Sequence, residues 1–218
     1  MRTEPTEQVV AKLADRGVAL GEGDALEVFG RKGDWQRKHY PRLVGSQYVW
    51  EIDPSRADDL RSNLPTAKIR ITDAFTEILQ APHAYDLIVV DNPQSVYGEG
   101  RYCEHFELFP TPLLRVARSP CAVILNVNVQ PYGFHAATEW GRRRAAFYRT
   151  SHPEYLRLDE VAEHYGALCR EAGFELDWSF WVPRNDRIQY FVFHVLRTEE
   201  LDGVQTCSAE RVPPEPGR

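Results

Sequence analysis

ALEVFGRKGD, Ala25–Asp34, is an apolar run that turns on glycines, and YVWEIDPS, Tyr48–Ser55, is a second apolar run that ends on an acid. Each reads as a buried strand that delivers polar groups at its carboxyl end. Glu27 and Glu51 are 24 positions apart, close to the span of one strand–helix–strand unit. Two such strands side by side and parallel form a cradle for a nucleotide-like ligand at their ends.

Working outward, Glu7–Arg16 repeats its apolar residues at helical spacing: Val9, Val10, Leu13 and Ala14 share one side. The first strand spans Ala25–Phe29, a helix starts over Trp35–Tyr40, and the second strand spans Tyr48–Ile52. Asp53 is an N-cap candidate with Pro54 in the first helical position, which predicts a helix over Pro54–Leu64. Lys68–Ile71 is a short strand, and Ala74–Leu79 a short helix behind Asp73. YDLIVV, Tyr85–Val90, is rich in β-branched residues and stops on Asp91, the pattern of a central strand buried on both faces. Cys121–Val127 is another such strand. Phe106–Val116 reads as a helix interrupted by Pro110 and Pro112. Ala136–Tyr148 and Leu158–Ala172 read as helices, the latter closed by Gly173.

The chain then changes character. Glu175–Val182 and Ile188–Leu196 are aromatic-rich strands joined by PRNDR, a hairpin signal. Trp178, Phe180, Trp181, Tyr190, Phe191 and Phe193 are read as core and sheet packing. Strand–helix alternation predicts a parallel sheet with helices on both faces, ending here in an antiparallel pair. Residues 1–198 are expected to form one domain, and the Glu- and Pro-rich residues 199–218 a tail.

Composition narrows the function. At 218 residues the chain accommodates one α/β domain with a full core. Cys103, Cys121, Cys169 and Cys207 form no C-x-x-C pair, so neither a disulfide framework nor a metal site is expected, and a reducing cytoplasm is the expected location. No apolar run approaches a membrane span. A net charge of −6 argues against a broad nucleic-acid-binding surface. The basic segments Arg31–Arg42 and Arg142–Arg149 could form a local nucleic-acid patch, but read more simply as solvated helix faces.

Ligands of open α/β sheets sit beyond the carboxyl ends of the strands. The residues expected there are Phe29–Gly33, Glu51–Asp53, Asp73–Ala74, Asp91–Gln94 and Asn126–Asn128. Gly30 and Gly33 would let backbone approach a ligand. A carboxylate such as Glu51 can accept from two ribose hydroxyls at once.

The succession ALEVFGRKG, YVWEIDPS, ITDAF and YDLIVVDNPQ, with a reversed last strand, resembles the class I S-adenosylmethionine-dependent methyltransferases over Ala25–Leu196. The resemblance implies a three-layer αβα Rossmann-like fold with a seven-stranded, mostly parallel sheet. It implies S-adenosylmethionine as cofactor. Glu27, Phe29, Gly30 and Gly33 would surround its methionine part, Glu51 would hold the ribose, Ile52 would pack on the adenine, and Asp73 and Ala74 would meet the adenine edge. Asp91, Asn92, Pro93 and Gln94 would lie beside the transferring methyl group. Arg31 stands where the family's turn usually has a second glycine, and Asn92 and Gln94 depart from the D/N-P-P-aromatic pattern of amine methyltransferases.

The expected reaction is methyl transfer to an amine or hydroxyl of a small molecule. Asp91 would orient or deprotonate the acceptor, and His105 is the second catalytic candidate. Asn92, Pro93, Gln94, Tyr97, Tyr102, Tyr132 and His152 are the substrate candidates. Two alternatives stand beside this reading. IVVDNPQSVYGEG, Ile88–Gly100, followed by a helix, is similar to the loop after strand four in spermidine synthase-type aminopropyltransferases, and Glu99, Glu104 and Glu107 could serve a cationic acceptor. Arg31 in the glycine turn would instead suit a methyltransferase-fold binding subunit without activity. The absence of G-x-G-x-x-G disfavours a dehydrogenase.

Overall fold

The architecture comes from a computed structural model, which describes residues 4–18, 21–33, 44–82, 84–91, 96–97, 101–102, 108–131, 133 and 137–199. The seven main strands are β1 (Asp24–Glu27), β2 (Ser46–Glu51), β3 (Lys68–Ile71), β4 (Tyr85–Val90), β5 (Ala117–Asn128), β6 (Phe174–Pro183) and β7 (Ile188–Arg197). They lie in the order β3-β2-β1-β4-β5-β7-β6. All neighbours are parallel except β7, which runs antiparallel to both β5 and β6. This is the α/β architecture expected from the sequence, including the C-terminal antiparallel pair. A separate two-residue pairing joins Val96–Tyr97 to Arg101–Tyr102.

Alternation along the central strands builds two apolar layers. Tyr85, Ile88 and Val90 of β4 face one layer, together with Val123, Leu125, Phe191 and Phe193. Leu87 and Val89 face the other, with Ala122, Ile124, Tyr190 and Val192. Strands buried on both faces need continuous apolar sequence, which is why YDLIVV announces itself so clearly. Helix α1 (Pro5–Asp15) covers the second layer with Val9 and Leu13. The first layer is covered by α3 (Ala74–Gln80), α4 (Thr111–Arg115), α5 (Glu139–Tyr148) and α6 (Leu158–Glu171). Helix α2 (Ala57–Asn63) packs Leu60 onto Val49 of β2. Each fully buried Leu, Ile or Phe in these layers contributes about 1.5–3 kcal/mol of transfer free energy.

Some boundaries differ from the expectation for visible reasons. The helix read over Phe106–Val116 is a five-residue α4, Thr111–Arg115, preceded by a turn at Leu108–Pro110, because the prolines break the backbone ladder. Strand β5 starts four residues before the apolar run. Its extra start carries Arg118, whose guanidinium donates to Asp86 (2.5 Å) and the Ala84 carbonyl (2.9 Å) and lies 3.5 Å from Asp24. One cation thereby ties the amino ends of β1, β4 and β5 together. Pro54–Arg56 is a 3₁₀ turn leading into α2, with Asp53 accepting from the Ser55 amide as the expected cap. The helix expected over Trp35–Tyr40 and the tail from residue 200 lie outside the described residues. Among the described residues no helix is long and apolar enough to cross a membrane, and no cluster of His, Cys, Asp and Glu is arranged to hold a metal.

Candidate functional site

Strands β1, β2, β3, β4 and β5 all end at one edge of the sheet, and the β6–β7 hairpin turns there too, since Ile188 pairs with Asn128. Most of the sequence-derived candidates that the structure describes therefore share this edge.

The β2 end is the most finished part. Glu51 is buried, and each of its carboxylate oxygens accepts one backbone N–H: from Arg31 at 2.6 Å and from Asp53 at 2.8 Å. The two bonds tie the β1 turn to the β2 turn and fix the carboxylate's orientation. Each oxygen keeps a lone pair, so a vicinal diol can still be met by both. Ile52 next to it is 47% exposed, an apolar surface left open to a planar partner. Asp73 caps α3 by accepting from the Phe75 amide at 3.0 Å, and Ala74 beside it is buried. The Thr72 amide donates to the Glu51 carbonyl at 2.7 Å, which draws the β3 end alongside.

The β1 turn's glycines have a packing role that the sequence does not show. A Cβ on Gly30 would lie 2.3 Å from Val49 Cγ1, and one on Gly33 (φ +69°) would lie 2.9 Å from Leu64 Cδ1. The space vacated by both is filled by the β2–α2 layer. These glycines let the turn pack against the protein, and only their backbone is left to meet a ligand. Phe29 is buried against Phe75 at 6.2 Å and belongs to the core. Arg31 takes a left-handed conformation (φ 48°) in place of a glycine. Its side chain is exposed and lines a small cavity of about 180 Å³ together with Lys32, Glu51, Asp53 and Arg56. Glu27 is buried at the end of β1.

Asp91, just past β4, is held on three sides. Its Oδ1 accepts from Asn126 Nδ2 of β5 at 2.6 Å and from Arg184 Nη1 of the hairpin at 2.6 Å, and its Oδ2 accepts from the Tyr190 hydroxyl of β7 at 3.1 Å. Asn126 and Tyr190 are buried. Sequence reasoning missed Arg184 and Tyr190, because PRNDR signals only a turn and Tyr190 only an aromatic strand position.

His152 lies on the α5–α6 loop, mostly exposed and 3.2 Å from Glu154. That loop is drawn to the β5 end by the Leu156 amide, which donates to the Val129 carbonyl at 2.9 Å. Arg144 clamps the same place. It is fully buried, donates to the Pro153 and Asn128 carbonyls, and lies over the rings of Trp140 and Tyr148. The basic segment Arg142–Arg149 is therefore not a uniformly solvated face: Arg144 points into the protein. Tyr97 and Tyr102 fall in the short pairing, where only the backbone is described. Asn92, Pro93, Gln94, His105 and Tyr132, and the acids Glu99, Glu104 and Glu107, lie outside the described residues.

A larger cavity of about 550 Å³ opens at the opposite edge, among Arg16, Asp86, Arg118, Trp178 and His194. It lies at the amino ends of the strands, away from the edge where such sheets bind ligands.

Strand order and the single reversed strand are what the comparison with solved structures rests on. The fold is that of the class I methyltransferases. SMU.776, named as a methyltransferase and solved with S-adenosylhomocysteine (SAH), matches with a TM-score of 0.58 at 10% identity, over 87% of this chain and 49% of its own. A protein named as an O-methyltransferase from Klebsiella pneumoniae matches with a TM-score of 0.55 at 16% identity, over 90% and 82%. PH1948 from Pyrococcus horikoshii, named as an RNA methyltransferase, matches with a TM-score of 0.52 at 12% identity, over 88% and 83%. No protein-family model matches the chain, and no curated protein matches its sequence. One of these neighbours is named for O-methylation and another for RNA, so the fold alone does not choose an acceptor.

Proposed function

We propose that the protein is an S-adenosylmethionine-dependent methyltransferase acting on an amine or hydroxyl of a small molecule. The observation that carries this is Glu51: a buried carboxylate, oriented by two backbone amides, beside exposed Ile52 and the Asp73–Ala74 turn. That set fits the adenosine half of the cofactor. A diol meets two acceptor oxygens, a purine meets an apolar face, and its amino edge meets a helix-capping acid.

Bound there, the cofactor supplies an already activated sulfonium methyl, so little covalent chemistry is asked of the protein. The rate comes from holding the acceptor in line with that methyl. Asp91 would orient the acceptor. With three donors on its two oxygens, it serves better as a fixed point of attachment than as a free base. A small acceptor accords with the net charge of −6 and with basic side chains at this edge that are paired locally, such as Arg142 with Glu139 and Arg157 with Asp159.

Calorimetry with SAH tests the reading. Binding that is lost in Glu51→Ala supports it; absence of binding in the wild type overturns it in favour of a methyltransferase-fold binding subunit. The aminopropyltransferase alternative relies on Glu99, Glu104 and Glu107, which lie outside the described residues; Asp91 itself is already paired with Arg184.

A further inference from the structure

The acid at the end of β4 is neutralised from within the chain. Arg184 Nη1 lies 2.6 Å from Asp91 Oδ1, and the two side chains are only 13% and 11% exposed. The hairpin that carries Arg184 is built to keep it there. Its amide donates to the Ile188 carbonyl at 2.9 Å. Asn185 Oδ1 accepts from the amides of Arg187 and Ile188, both at 2.9 Å, which closes the turn. The guanidinium also lies over the Tyr190 ring, 5.7 Å from its centroid, while the Tyr190 hydroxyl reaches Asp91 Oδ2. A planar cation resting on a ring and pointing at a carboxylate is a pre-organised pair.

Among the described residues bonded to Asp91, the charges cancel. Asp91 carries the negative charge, Arg184 the positive one, and Asn126 and Tyr190 are neutral. To reach Asp91, an incoming ammonium group would have to displace a guanidinium already bonded in a partly buried place.

We infer that Arg184 is the residue that sets acceptor charge: by occupying Asp91 it admits an acceptor whose reacting group is uncharged and turns away polycationic amines. The inference rests on the methyltransferase reading for the word acceptor, while the occupation of Asp91 by Arg184 stands apart from it. Arg184 acts through Asp91 and is thus a positioning and specificity residue. The simplest mimic of the rejected class is 1,4-diaminobutane, and the simplest mimic of the Arg184 head group is the guanidinium ion.

The test uses calorimetry and thermal melts on the wild type, Arg184→Ala, Arg184→Gln and Arg184→Ala/Asp91→Asn. In the presence of SAH, the wild type is expected to bind the diamine at least about tenfold more weakly than both single variants. Guanidinium at low millimolar concentration is expected to raise the melting temperature of Arg184→Ala, but not that of the wild type or the double variant. Diamine binding by the wild type as tight as by Arg184→Ala overturns the inference, as does a guanidinium effect that persists without Asp91. If Arg184→Ala does not fold, the wild type and Arg184→Gln decide. Failure of the wild type to bind SAH defeats the proposed function, and leaves the diamine and guanidinium results to judge Arg184 separately.

Discussion

A methyl group on Gly30 would lie 2.3 Å from Val49 Cγ1, inside any real carbon–carbon contact, while the Gly30 amide donates to the Trp50 carbonyl at 2.8 Å. The β1 turn is thus fixed to β2 by a backbone bond and by the lack of a side chain. Gly30→Ala forces either that bond or Val49 to move, and is expected to destabilise the fold by about 2–3 kcal/mol through overpacking. Shortening the neighbour in the double variant Gly30→Ala/Val49→Ala restores part of the loss. Urea titrations of the four proteins of this cycle measure the coupling. Additive losses would show that the two positions do not share the space.

Arg144 makes the second prediction. It is a fully buried cation that donates to two carbonyls, one at the β5 end and one in the loop that carries His152. Arg144→Met keeps the bulk and strands both acceptors. The expected cost is about 3 kcal/mol, with hydrogen exchange and proteolysis rising first over residues 150–156. Unchanged protection there would mean that the Leu156–Val129 bond holds the loop unaided.

His164 predicts a pH dependence. Its ring lies against Phe147, Tyr148 and Tyr165 at 4.9, 5.6 and 5.9 Å, and its Nε2 is buried with no hydrogen-bond partner among the described residues. Burial holds its pKa below the ordinary value of 6.5, Arg149 adds to the effect, and Glu171 opposes it. The unfolded chain therefore binds the proton more readily than the folded one. Stability is full above about pH 6.5 and falls as the pH drops through that value towards the folded pKa. Thermal melts between about pH 5 and 8 should show this slope, and His164→Phe should flatten it. An unaltered slope in the variant would assign the effect to other groups.

These residues also show what a sequence can disclose. YDLIVV marks its own limits as β4, because a strand buried on both faces needs unbroken apolar residues. Asp53 before Pro54 likewise marks a cap that the structure contains. Arg144 escapes such reading: three successive arginines look alike, and only the packing of α5 on the β5 end turns one of them inward. Gly30 was legible as a position that needs glycine, but the atom that excludes a side chain belongs to Val49, on another strand, and no local pattern shows it. The Asp91–Arg184 pair joins residues 93 positions apart. The strand-end acid is visible in the chain, but the partner that neutralises it appears only when the hairpin returns to the same edge.

Glu51 carries the last prediction. Its oxygens face two backbone donors, the amides of Arg31 and Asp53. Glu51→Gln keeps shape and length but puts an NH2 where one of those donors points, so one backbone bond is replaced by a donor–donor contact. The side chain then rotates or withdraws, and a diol loses one of its two acceptors. Loss of a hydrogen bond to a charged group is worth about 1.5–3 kcal/mol, or roughly 10- to 150-fold in affinity. Calorimetry should therefore show SAH binding weakened within that range in Glu51→Gln and abolished in Glu51→Ala. The melting temperature without ligand should fall in both, because the carboxylate also joins the two turns. Full SAH affinity in Glu51→Gln, alongside a lowered melting temperature, would confine Glu51 to joining the turns and place the cofactor's ribose elsewhere.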